Sequence, residues 1–353
     1  MKRLRQPWLH SAWLDGVFIL SPPFLCLLAI LLFPAFFQQH VSTIPVTAWV
    51  LLILLIDVGH VYSTLFRTYF EKETFQKHRQ FLLWAPGGAW VVGVLLYSLG
   101  GNVFWRILAY LAVFHFVRQQ YGFMRLYARK EQKPAWEQQL DTVAIYAFTL
   151  LPILYWHLEG NRQFNWFIDN DFIGLPFPRL ASMVSLLNLG LFLGYVGKEI
   201  WSFTQTRKIN LPLNLIMVGT FLAWYVGIVF YNGDLIFTSF NVISHGVPYL
   251  ALVWIYSRKT KETNTPSAEK KKTLGWAALG SFLGLVMVLA YVEEGLWDSL
   301  VWREHAQVFP LFSGINQIKD NLLLSLLVPL LALPQITHYV VDGFIWKISK
   351  NQN

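Results

Sequence analysis

Residues 44–66 read IPVTAWVLLILLIDVGHVYSTLF, and Arg67 follows directly. At a rise of about 1.5 Å per residue such a helix covers about 35 Å, enough for the roughly 30 Å of hydrocarbon in a bilayer. Apolar side chains occupy almost every face, which predicts a membrane span and not the one-sided stripe of a soluble helix. Two residues break the run, Asp57 and His60, and their spacing projects them from the same helix face. An ionisable pair is costly in hydrocarbon, so it must face the interior of a helix bundle, and by default it marks a site.

The rest of the chain repeats this pattern. Further apolar runs near 16–38, 80–99, 102–124, 140–157, 180–203, 211–231, 234–257, 274–292 and 321–346 bring the predicted spans to ten. The composition agrees: 55% of the 353 residues are hydrophobic and only 14% are charged, more apolar than a soluble core of this length needs. The fold class predicted is an all-α, polytopic membrane bundle over residues 1–353.

The net charge of +8 is a topology signal and not a nucleic-acid footprint, because of where the cations fall. Of the 28 Lys and Arg, 22 lie in six sets: Lys2 to Arg5, Arg67 to Arg79, Arg125 to Lys133, Lys198 to Lys208, Arg258 to Lys272, and Lys347 with Lys350. These are every second connection, and those between them are neutral or acidic. Positive loops stay inside, so both termini are predicted cytoplasmic, in the inner membrane of a bacterium. Met1-Lys-Arg-Leu-Arg5 has the basic start of a signal peptide, but the apolar run after it is long and lacks a small-residue cleavage site. It predicts a retained first helix. The connections 159–178 and 296–312 mix aromatic residues with charges and read as outer interfacial segments, whereas 259–272 reads as a flexible basic cytoplasmic loop. Pro22-Pro23 predicts a kink, and Asp15 a helix N-terminal charge.

Cys26 is the only cysteine, so intramolecular disulfides and thiolate clusters are excluded and any metal must be held by N and O ligands. Nine histidines are present, of which His10, His40, His78, His157 and His305 fall in loops or at helix ends. His60, His115, His245 and His338 lie inside the second, fourth, eighth and tenth predicted helices. Those four run in the same direction, and counting from their basic flanks puts all four imidazoles about 10–20 Å inside the cytoplasmic boundary. Further polar residues share their helix faces: Asp57 before His60, Gln119 after His115, Asn241 and Tyr249 around His245, and Gln335 and Asp342 around His338. The set predicts a metal centre with His60, His115, His245 and His338 as ligands. Asp57, Gln119, Tyr249 and Asp342 then serve as additional ligands, hydrogen-bond donors or orienting groups. Imidazole and carboxylate donors without sulfur suit iron, zinc, copper or manganese, and non-haem iron is the cofactor favoured. A single buried histidine is more often a hydrogen-bonded packing residue, so the argument rests on four at one depth.

Several blocks resemble the Brp/Blh membrane proteins, the bacterial and archaeal carotenoid 15,15'-dioxygenases. Phe221-Leu-Ala-Trp-Tyr225 followed by Asn241-Val-Ile-Ser-His245-Gly-Val-Pro-Tyr249 and Trp254 is similar to the family's aromatic helix and histidine helix. Leu333-Pro-Gln-Ile-Thr-His338-Tyr-Val-Val-Asp342 resembles its last block, and Gly59-His60 and Phe114-His115-Phe116 its two earlier ones. The resemblance implies that the four histidines are iron ligands. The chain departs from the family where a carboxylate is expected one turn after the first two histidines: Thr64 stands after His60, and Gln119 or Gln120 after His115. Tyr249 stands where the family pairs a second histidine with the third.

The function expected is therefore a membrane-embedded non-haem metal oxygenase or oxidoreductase. Its substrate is a hydrophobic small molecule from the bilayer, such as a carotenoid or lipid chain, and its other partners are membrane lipids, with no nucleic acid. Two further classes use the same layer. A metal-ion or proton-coupled transporter would draw on helices interrupted at Gly87-Gly88, Pro248 and Pro334. A haem-binding electron carrier would pair histidines from different helices as axial ligands.

Overall fold

The structure is a computed structural model that describes residues 6–131, 133–160, 162–259 and 268–345, without the side chains of 258–259, 268–274 and 344–345. Among the described residues all regular structure is helical. The main elements are α1 (Ala12–Leu20), α2 (Pro22–Leu32), α3 (Val46–Arg67), α4 (Arg79–Leu99), α5 (Gly101–Ala128) and α6 (Ala135–Glu159). They continue with α7 (Pro178–Thr206), α8 (Leu211–Phe230), α9 (Asp234–Lys259), α10 (Ala268–Trp297), α11 (Asn321–Leu331) and α12 (Leu333–Ile345).

Seven of these, α3, α4, α6, α7, α8, α9 and α10, are long and apolar enough to cross a membrane. The pairs α1 with α2, bent by 57°, and α11 with α12, bent by 40°, raise the number to nine if each is one broken span. The tenth predicted span is α5. Its 28 residues give ample length, but Arg106, Arg118, Gln119, Gln120 and Arg125 interrupt its apolarity. Large apolar side chains point outward, Trp84, Leu95 and Leu99 on α4 and Met183 and Leu186 on α7 among them, a surface compatible with lipid contact.

The predicted kink at Pro22-Pro23 coincides with the bend between α1 and α2. Asp15 is buried there and accepts the backbone N–H groups of Leu9, His10 and Ser11 at 2.5, 3.1 and 3.4 Å, so it closes the turn that starts the helix. The end of α10 lies later than the sequence pattern suggests. A π-helical turn over Asp298–Trp302 prolongs it; there Trp297 and Trp302 stack on each other and both meet Trp105 at a tilt. Glu293 and Glu294 therefore belong to a helix, and the outer connection expected over 296–312 starts only after Trp302. At the other end α10 begins at Ala268, inside the loop expected over 259–272; residues 260–267 of that loop lie outside the described residues, as do Lys2, Arg3, Arg5, Lys347 and Lys350.

The chain forms two compact units, and it passes from one to the other within α5 and within α9. One unit takes in the chain up to Ile44 and Val113–Pro248. Its core is aromatic: Phe192 stacks on Phe221 at 3.8 Å and Phe221 on Tyr225 at 4.9 Å, with Phe148 set edge-on. Asp171 shapes the connection between α6 and α7 by accepting the N–H groups of Trp166 and Phe167 at 2.9 and 2.7 Å. The other unit takes in Pro45–Ala112 and the chain from Tyr249. There Tyr249, Val253, Phe282 and Val286 form a core against Tyr62 and Phe66, and Leu54, Ala290 and Phe309 form a second one. The indole of Trp90 on α4 donates to Leu326 O on α11 at 3.0 Å.

Candidate metal centre

Each of the four predicted histidines is carried by a helix and is almost fully enclosed: His60, His115, His245 and His338 expose 1%, 3%, 1% and 1% of their surface. In the unit that contains α3 and α12, the rings of His60 and His338 meet edge to face at 5.0 Å. In the other unit the rings of His115 on α5 and His245 on α9 meet at 5.0 Å with nearly the same tilt. The four form a single group, because one ring nitrogen from each lies within 4.8 Å of those from the other three.

The local sequence explains how the rings are aimed. A π-helical stretch, Val50–Val58, ends just before His60 and resets the helical register there, a departure from α geometry that recurs at functional sites. His60 Nδ1 lies 3.3 Å from Ile56 O, and because a carbonyl only accepts, a hydrogen bond there puts the proton on Nδ1 and makes Nε2 the unprotonated nitrogen. His338 Nδ1 lies 2.6 Å from Thr64 Oγ1, which is itself 3.0 Å from the hydroxyl of Tyr249. For Nε2 of His338 to act as a ligand, Nδ1–H donates to Thr64 and Thr64 O–H donates on to Tyr249. Such outer hydrogen bonds fix the tautomer and orientation of ligating imidazoles. On the other unit, Phe116 stacks on His245 at 3.6 Å with the planes 10° apart, and Trp166 meets Phe116 edge-on at 5.2 Å.

Around the rings the predicted residues divide. Tyr249 reaches His338 through Thr64. Gln119 donates to the backbone carbonyl of His245 at 3.2 Å and so braces α9 without touching its imidazole. Asp57 Oδ1 stands 3.7 Å from His60 Nδ1, an ion-pair distance too long for a hydrogen bond. Asp342 is buried, one turn after His338, and neither carboxylate is among the grouped ligand atoms. Gln335 donates to Tyr339 at 2.9 Å and not to the cluster. Among the histidines predicted to be peripheral, His305 packs on Trp49 at 4.0 Å and His40 on Phe36 at 5.0 Å.

In the sequence Thr64 stands out only as a departure from the carboxylate that the resemblance implies one turn after His60. Glu293 falls just past the run predicted to end at residue 292, where the sequence pattern implies a connection. It is in fact buried on α10, where Trp297 Nε1 donates to it at 3.4 Å. Nothing in the local composition distinguishes it from the acids of a true loop.

The donor set fits a transition-metal ion. Metal–nitrogen bonds near 2 Å put ligands about 3–4 Å apart, and four nitrogens within 4.8 Å of one another could hold such an ion. Four neutral imidazoles suit iron, zinc or copper better than the hard cations that prefer oxygen. These observations define a class, an all-helical chain with membrane-length helices and a buried four-histidine group able to hold a metal ion. Comparison with protein-family models, with curated proteins and with solved structures gives no match.

Proposed function

We propose that this chain is an integral membrane metalloenzyme, a non-haem iron oxygenase or oxidoreductase that acts on an apolar molecule drawn from the bilayer, with both termini in the cytoplasm and α5 as a tenth span. The observation that carries this reading is the buried group of His60, His115, His245 and His338, whose nitrogens lie within 4.8 Å of one another. Four imidazoles buried together form a donor set that a shared metal ion would hold in place. Iron is the metal that the resemblance to the carotenoid dioxygenases implies, and it would supply activation of dioxygen when bound.

The chain's own residues do the rest. His60 and His338 present Nε2 because Ile56 O and Thr64 hold their Nδ1 protons. Phe116 keeps the His245 ring flat against α5, and Gln119 holds the backbone of α9. Asp57, 3.7 Å from His60, is placed so that a bound cation would favour its charged form. A haem reading fits less well, since four nitrogens this close leave no space for a porphyrin ring among them.

The test is elemental analysis with an absorption spectrum on detergent-purified wild type and His338→Ala. Near-stoichiometric iron, no Soret band and loss of the metal in the variant are expected. Dioxygen consumption with a carotenoid or an unsaturated lipid follows as the assay of activity. Absence of metal from protein expressed with iron in excess would falsify the reading.

A second reading has its own support in the two bent helix pairs, one of which places His338 just after a 40° break. Broken helices at a polar layer are a hallmark of secondary transporters. Gradient-dependent metal uptake into vesicles, lost in the same variant, would favour it over catalysis.

A further inference from the structure

Two small cavities lie side by side within the unit that contains α1, α2, α6, α7 and α8. The first is bounded by Phe116, Gln120, Trp224, Asn241, Ser244 and His245. The second is bounded by Ile19, Pro23, Gln120, Ile216, Thr220 and Ser244. Gln120, Ala223 and Ser244 belong to both, so they form the partition. Each cavity has a volume of about 10 Å³ measured at the centre of a water-sized sphere, which is room for about one water molecule.

The partition is polar. Ser244 Oγ is buried and has no hydrogen-bond partner among the described residues. Gln120 Oε1 accepts from Thr220 Oγ1 at 3.0 Å, which turns the Gln120 amide and the Thr220 hydroxyl toward the same partition. Asn241 adds a second amide on the His245 side. A buried water needs a cavity of this size and two to four polar partners, whereas an apolar void of the same size stays dry. A buried hydroxyl without a protein partner is a group that such a water would satisfy. Aromatic walls from Phe116, Trp224 and Phe240 keep the passage narrow.

From this geometry we infer that the two cavities hold a short file of ordered water, relayed past Ser244 and Gln120, which ends at His245. The second cavity touches Leu215 and Ile216, in the second turn of α8, so the file runs from the Asn210 end of that helix inward. The water site stands on the geometry of this one unit. Its role, to bring water or its protons to the His245 side of the metal, rests on the proposed function.

The experiment is hydroxyl-radical labelling by synchrotron X-rays on the full chain in nanodiscs, which modifies side chains beside buried water, with metal content measured on the same samples. Trp224 and Phe240 expose 5% and 0% of their surface, and Phe148, also at 0%, lines neither cavity and serves as the dry control. The expected result is labelling of Trp224 and Phe240 far above Phe148, falling several-fold in Ala223→Leu and in the milder Ser244→Val. Labelling at the level of Phe148 in the wild type overturns the proposal. So does unchanged labelling in both variants when the pattern elsewhere shows them folded. Labelled protein without metal leaves the water file standing and removes the metal reading. Metal-loaded protein without labelling does the reverse.

Discussion

Thr64 is the side chain through which the sequence departs from the expected carboxylate and yet keeps its use. Its hydroxyl sits 2.6 Å from His338 Nδ1 and 3.0 Å from the Tyr249 hydroxyl, so a neutral relay stands where a charged one was expected. A threonine avoids burying a second charge in the bilayer and still fixes the tautomer. Thr64→Val keeps the shape and removes the relay. Its expected effect is a weaker metal affinity by about 10- to 100-fold, recovered in Thr64→Ser, measured by competition with a chromogenic chelator. His60→Ala, His115→Ala, His245→Ala and His338→Ala each remove a ligand atom and are expected to abolish stable binding, whereas His40→Ala and His305→Ala leave it unchanged. An affinity in Thr64→Val equal to wild type would show that His338 is held by packing alone.

At the scale of elements, helix positions were legible because apolar run length is a direct physical requirement of the bilayer, and the kink at Pro22-Pro23 followed from proline geometry. What could not be read were features set by partners distant in sequence. The extension of α10 to Trp302 brings it against Trp105, and the closeness of α2 and α8 depends on a single glycine: a Cβ on Gly219 would stand 2.7 Å from Pro23 Cγ. Gly219→Val is therefore expected to force the helices apart at a cost of about 1–3 kcal/mol, seen as a lower Tm in detergent, while Gly190→Val, with open space around it, leaves Tm in place. The four histidines were legible as a set because all are carried in apolar helices; that they meet was not, since helix order in space leaves no mark on periodicity.

A second inter-element device is a charge cluster in which Lys133 lies 3.3 Å from Asp141, 3.3 Å from Glu131 and 3.5 Å from Glu199, with Lys198 paired to the same Asp141. Burial works against the Lys133 ammonium, but Asp141, Glu199 and Glu131 prevail and raise its pKa. A raised lysine pKa means a stabilisation fully present below the unfolded value of about 10.4 and lost as pH rises through the folded one. Lys133→Met is expected to destabilise by roughly 1–3 kcal/mol, below the roughly 3–5 kcal/mol of a fully enclosed pair because water still reaches the site. The difference in Tm from wild type should hold steady between pH 6 and 9 and shrink only above the lysine's unfolded pKa. A difference that already fades in that window would assign the effect to lost packing.

For the molecule as a whole, the alternation of basic and neutral connections and the polar interruption of α5 make competing statements about topology. The charge pattern requires α5 to cross, which puts residues 129–133 on the same side as 67–79 and 207–208. The hydropathy of α5 on its own does not reach the level of the other long helices. The two are reconciled if α5 crosses with one buried face, which carries His115, Gln119 and Gln120 where polar residues cost less than at the lipid face. Cys26 is buried and is the only cysteine, so Cys26→Ser gives a clean background for single reporters. In that background Gln205→Cys, Gln163→Cys and Lys130→Cys, all at exposed positions, are treated with a membrane-impermeant maleimide in right-side-out and inverted vesicles. Gln205→Cys is expected to react only in inverted vesicles and Gln163→Cys only in right-side-out ones. Lys130→Cys is the deciding position: reaction in inverted vesicles alone means α5 spans and the charge rule holds throughout. Reaction from the outside would leave α5 as a helix that enters without crossing, and would shift every basic connection after it out of register with the first two.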